Sequence, residues 1–78
     1  MKTIQILGTG CPKCRQLFAN AEEAVRTLGL EAEVAKVERL PDIVKFGVMV
    51  TPALAVDGVV KSAGKVLDAS EIGELVNA

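Results

Sequence analysis

The stretch Gly8-Thr9-Gly10-Cys11-Pro12-Lys13-Cys14 decides how the rest of this chain is read. It follows an apolar run at residues 4–7 and opens the longest amphipathic segment of the sequence. Both cysteines of the protein lie inside it, two residues apart. Two thiols at that spacing on the first turn of a helix can close a disulfide or hold a soft metal.

Working outward, residues 3–7 alternate Thr-Ile-Gln-Ile-Leu and stop at Gly8, which predicts a strand. Gly8 and Gly10 flank Thr9 in a loop free to take unusual backbone angles. Pro12 fits the first helical position, where its missing N–H costs nothing. Cys14, Leu17, Phe18, Ala21, Ala24, Val25 and Leu28 then recur at three- and four-residue steps and predict one apolar helix face. Arg15, Gln16, Glu22, Glu23 and Arg26 fall on the outer face. Glu22 and Arg26 form an i, i+4 pair, and Gly29 supplies the stop.

Residues 30–37 place Ala32, Val34 and Val37 among Glu31, Glu33 and Lys36, a strand polar enough to be an edge. Pro41 and Asp42 suit the first turn of a short helix with Leu40, Ile43 and Val44 as its apolar face, ended by Gly47. Residues 48–51 link into Pro52, because a residue before proline avoids the helical region. Residues 53–56 read as a strand, Asp57-Gly58 as a two-residue hairpin turn, and residues 59–63 as the antiparallel return, with Gly64 breaking the pattern. Asp68 with Glu71 starts a last helix in capping-box fashion, with Ile72, Leu75 and Val76 on one side. The order is β-α-β-α-β-β-α. The first β-α-β unit implies two parallel strands joined by a right-handed crossover. The hairpin adds antiparallel strands, so an α/β fold with a mixed four-stranded sheet and helices on both faces is expected.

Seventy-eight residues are expected to form one domain, 1–78, with a modest core. A net charge of −1 without a basic run argues against nucleic acid as the main partner. Phe18 and Phe46 are the only aromatic residues, too few for a base-stacking platform. No apolar stretch approaches membrane-spanning length, and the N-terminus lacks the form of a signal peptide, so the cytoplasm is the expected compartment. Two cysteines are too few for a secreted disulfide scaffold, and a close pair reads as redox or metal chemistry.

With Cys11 as N-cap, its sulfur lies near the free N–H groups of the first turn, including that of Cys14. The helix dipole favours its thiolate, and the Lys13 ammonium adds positive potential unless that lysine is merely a solvated charge. Cys14 falls on the core-facing stripe. Cys11 is therefore the expected nucleophile and Cys14 the resolving thiol. The plain alternative is that both are small buried hydrophobes. Metal transfer is a further alternative. A closed zinc site needs about four ligands, and the chain has no histidine and no second cysteine pair. Two chains could still share a metal or an iron–sulfur cluster as a dimer. A small copper-carrier domain also sets C-x-x-C between its first strand and helix. Its order is β-α-β-β-α-β, however, and its loop typically carries a methionine where Gly8-Thr9-Gly10 stands here.

At Cys11-Pro12-Lys13-Cys14 together with Thr51-Pro52-Ala53, the chain resembles the thioredoxin superfamily. It is most similar to the small thioredoxin-like redox-active disulfide proteins of archaeal and bacterial type, which share the compact size of glutaredoxins. The resemblance covers the whole chain in element order and implies a thioredoxin-like fold. It implies a cis bond between Thr51 and Pro52, with the backbone of Thr51 beside Cys11, open to an extended substrate segment. Without the resemblance, Pro52 is simply a proline at a strand start. Gly64 matches a glycine that admits substrate to the groove, or else only ends the strand.

The chain departs from thioredoxins proper in three respects. Gly10 stands in place of the tryptophan before the first cysteine, Pro12-Lys13 in place of Gly-Pro, and no acidic residue precedes Glu22. The tyrosine that glutaredoxins favour between the cysteines is missing too, which speaks against glutathione as substrate. The resemblance thus implies thiol–disulfide exchange with protein disulfides, an upstream reductase, no cofactor and a monomer. Gly10, Pro12, Lys13, Thr51, Pro52 and Gly64 form the expected substrate-binding surface. Met49 and Val50 adjoin it, with Met49 alternatively a core filler.

Overall fold

A computed structural model describes residues 1–77. The elements run β1 (Lys2–Leu7), α1 (Pro12–Leu28), β2 (Ala32–Val37), α2 (Leu40–Lys45), β3 (Ala53–Val56), β4 (Val59–Ala63) and α3 (Ala69–Asn77). The expected order is reproduced element for element. The four strands form one sheet in the order β2-β1-β3-β4, with β1 parallel to β2 and antiparallel to β3, and β3 antiparallel to β4.

Strand composition follows sheet position. All four residues of the central β3 are buried, whereas β4 alternates exposed and half-buried residues at one edge, and β2 carries Glu33 and Lys36 at the other. Asp57 (φ 51°) and Gly58 (φ 84°) make the hairpin turn. A bulge lies between Leu54 and Ala55, where the partner residues step from Ser62 to Val60.

Alternation along the strands divides the core in two. Ile4, Ile6, Leu54 and Val56 face α1 and α3 and pack with Leu17, Ala21, Ala24, Ile72 and Val76. Leu7 and Ala53 point to the opposite face, where Ile43 of α2 covers them with Phe46 and Val48 alongside. The sheet is thus flanked on both faces, as expected. On α2, however, Ile43 alone is buried. Leu40 and Val44 are 63% and 66% exposed, because a helix of six residues touches the sheet along less than two turns.

The helix ends follow local chemistry. Pro12 occupies the first turn of α1, and Gly29 closes it in the left-handed conformation with its N–H on the Val25 carbonyl. The Glu71 amide donates to Asp68 Oδ1 at 2.8 Å, and Glu71 Oε1 accepts from the Asp68 amide at 3.1 Å. The Glu22–Arg26 pair does not close. The ion pair among the described residues is Lys45–Asp42, 3.8 Å apart on α2. The strand read over residues 30–37 begins at Ala32, after the turn that follows Gly29.

Candidate active site

Strand register brings the site together. Leu7 pairs with Val37 and with Ala53, and Ala53 pairs with Ala63. The ends of β1 and β2, the start of β3 and the end of β4 therefore line up across one end of the sheet. Gly8, Pro52 and Gly64, which lead into or out of these strands, converge there although they are far apart in sequence.

Cys11 is the N-cap of α1, with extended backbone (φ −64°, ψ 163°). Its Sγ accepts a hydrogen bond from the Cys14 amide at 3.2 Å, and its carbonyl accepts from Arg15 N–H at 3.0 Å. One orphan donor of the first turn is thereby aimed at sulfur, and no acidic residue in that turn opposes the helix dipole. Cys11 and Cys14 are joined as a disulfide, with Cα atoms 5.0 Å apart. Cys11 is half-buried, while Cys14 is 5% exposed and belongs to the core-facing side of α1. Pro12 and Lys13 are exposed between them.

The Thr51–Pro52 peptide bond is cis. Pro52 is fully buried at the head of β3, and Thr51 is exposed. Gly8 stands between this bond and the disulfide: a Cβ built there would lie 3.9 Å from Thr51 Cβ and would overlap Cys14 Sγ. Gly64 (φ 77°) donates its N–H to the Pro52 carbonyl at 2.7 Å. Its Cα faces Val50, since an added Cβ would come within 3.3 Å of Val50 Cγ2. Met49 is 96% exposed and fills no core, and Val50 beside it is also exposed.

A cavity of about 250 Å³ adjoins Cys14 on the β2 side. Gly8, Gly10 and Cys14 form one wall, Ile6 and Phe18 the apolar part, and Arg15, Lys36 and Glu38 the charged part. Lys36 Nζ stands 4.6 Å from the centre of the Phe18 ring, a cation–π contact. Gly10 (φ 94°) lies near Glu38: its Cβ position is 3.7 Å from Glu38 Oε2. The sequence reading does not anticipate Gly8, Lys36 or Glu38 at the site. Lys36 reads as an edge-strand charge until the β1–β2 register sets it beside α1, and Glu38, just past the end of β2, has no sequence reading. As for metal, the two sulfurs supply a pair of donors, and among the described residues no group of three or more Cys, Asp or Glu side chains gathers.

Fold and site together define a class: an α/β protein with a disulfide at the N-terminus of its first helix and a buried cis-proline at the head of its third strand. A protein-family model described as a thioredoxin domain matches residues 2–77. A thioredoxin of Methanothermobacter thermautotrophicus is 43% identical over 77 residues, spanning 99% of this chain and 100% of that protein. A thioredoxin of Methanocaldococcus jannaschii is 45% identical over 74 residues, spanning 95% of this chain and 85% of that protein. A probable thioredoxin of Methanothermobacter thermautotrophicus is 32% identical over 57 residues, 69% of this chain and 67% of that protein. The chain belongs to the thioredoxin family. Its general chemistry is thiol–disulfide oxidoreduction.

Proposed function

We propose that the chain exchanges its Cys11–Cys14 dithiol with the disulfides of protein substrates, Cys11 attacking and Cys14 resolving. The observation that carries this assignment is the asymmetry of the pair. Cys11 is the more exposed residue of the pair and its Sγ accepts the Cys14 N–H at 3.2 Å, whereas Cys14 is 5% exposed. A donor aimed at sulfur and a helix N-terminus both favour the thiolate over the thiol, so the proton leaves Cys11 more readily.

In the reductive direction, the Cys11 thiolate attacks one sulfur of a substrate disulfide. The substrate S–S bond breaks, its second sulfur leaves as thiolate, and a mixed disulfide remains on Cys11. Cys14 then gives up its proton and attacks Cys11 Sγ, releasing the first substrate sulfur and closing the ring. Two electrons pass to the substrate, and an upstream reductase restores the dithiol. Exposed Thr51, Pro12 and Lys13, with Gly10 and Gly64 beside them and buried Pro52 holding the Thr51 loop, offer an extended substrate segment its docking surface. The same reading has the 78 residues working as one domain, monomeric and in the cytoplasm. No helix among the described residues is long and apolar enough to cross a membrane.

The test is a pair of single substitutions assayed on a protein disulfide. Cys11→Ser is expected to abolish exchange, and Cys14→Ser to accumulate a mixed disulfide through Cys11. Equal residual activity in the two variants would refute the division of roles. Equilibration of the wild-type couple against a defined dithiol buffer checks the direction of electron flow. A potential near that of thioredoxin, about −270 mV, is expected, and one above about −180 mV would reverse it.

A further inference from the structure

Gly8 has neither a motif role nor a backbone conformation to explain it. Gly10, Gly29, Gly47, Gly58 and Gly64 have positive φ, a region that disfavours side chains, and Gly8 does not. Its N–H donates to the Val37 carbonyl at 3.0 Å, continuing the parallel β1–β2 ladder, a geometry open to any L-residue. Glycine is required there for space. A Cβ would overlap Cys14 Sγ and reach 3.0 Å from Cys14 Cβ, and the residue is buried, so the excess cannot turn out to solvent.

We infer that Gly8 is a positioning residue for the redox couple: its bare Cα is the seat that lets the Cys14 sulfur close onto Cys11. The two redox states differ in how they would meet a side chain at this position. In the disulfide, Cys14 Sγ is bonded to Cys11 Sγ, and the short ring leaves it little room to withdraw. In the dithiol the bond is gone, and the Cys14 side chain can turn to another rotamer. A methyl group at position 8 therefore penalises the disulfide more than the dithiol, and by linkage makes the couple a stronger oxidant. The inference rests on Cys11 and Cys14 forming a reversible couple. It adds that a residue outside the C-x-x-C motif sets the equilibrium of that couple.

The experiment equilibrates wild type and Gly8→Ala with a defined dithiol buffer and quantifies each redox state. Protein disulfide plus buffer dithiol gives protein dithiol plus buffer disulfide, so the ratio reads the couple directly. Gly8→Ala is expected to move the equilibrium toward the dithiol at least about tenfold, or about 30 mV. Gly73→Ala is the control for adding a methyl at a buried glycine. Position 73 on α3 faces the flexible Leu28 side chain and no sulfur, and the equilibrium is expected to stay within twofold. An unmoved equilibrium in Gly8→Ala, a shift toward the disulfide, or an equal shift in Gly73→Ala overturns the inference. If Gly8→Ala does not fold, adding Cys14→Ala is expected to restore folding by removing the sulfur. A double variant that stays unfolded where Cys14→Ala alone folds overturns it as well. A wild type that closes no intramolecular disulfide sinks the parent reading along with this one, whereas a normal wild type beside an unmoved Gly8→Ala sinks this one only.

Discussion

Gly64 joins two demands in one residue. Its φ of 77° lies where a side chain is strained, and its N–H must still reach the Pro52 carbonyl at 2.7 Å. An added Cβ would also press Val50 at 3.3 Å, tight enough that Val50 must give by a few tenths of an ångström. Gly64→Ala is therefore expected to cost about 1–3 kcal/mol of stability, read as a lowered midpoint in chemical denaturation with an unchanged slope. A loss below about 0.5 kcal/mol would mean that the end of β4 relaxes freely and does not brace the loop before Pro52. Of the two readings of this glycine, the strand end is the one on view: β4 stops at Ala63, and the Gly64 N–H then meets the Pro52 carbonyl.

At the scale of elements, legibility follows the range of the forces involved. The limits of α1 could be read because each signal is local: Cys11-Pro12 at one end, Gly29 at the other and apolar residues at helical spacing between. The start of α3 was readable for the same reason, and its cap is measurable. Asp68→Ala removes the acceptor of the Glu71 amide, so a loss of about 1 kcal/mol is expected, mainly as fraying of the first turn of α3 in amide exchange. Protection unchanged in residues 69–72 would show that the cap contributes nothing. What depends on tertiary placement was not legible. The spacing of Leu40, Ile43 and Val44 describes an apolar face, but the sheet covers only Ile43. Met49 is apolar enough for a core and lies instead in the exposed loop ahead of Pro52. The closeness of Gly8 to Cys14, and of Lys36 and Glu38 to the cavity beside Cys14, arises from register between strands and the seating of α1, which no local window contains.

For the whole molecule, the question is what holds it together when the disulfide opens, as each turnover of the proposed reaction requires. The covalent link closes a loop of only a few residues, and the chain-entropy argument then gives about 2 kcal/mol at most. The larger core is apolar and independent of it: Leu54, fully buried at the centre of β3, packs with Ile4, Leu17 and Ile72 between the sheet and the two long helices. Truncating such a side chain costs about 2–5 kcal/mol, against a total of about 4–12 kcal/mol for a chain of this length. Reduction is thus expected to leave the fold intact and lower its stability by no more than about 2 kcal/mol. Leu54→Ala is expected to cost more than reduction does in either redox state. Denaturation of the oxidised and reduced forms of both proteins checks the ordering. If reduction alone unfolded the wild type, the disulfide would be a structural staple, and a cycle that opens it at every turnover could not run on this fold.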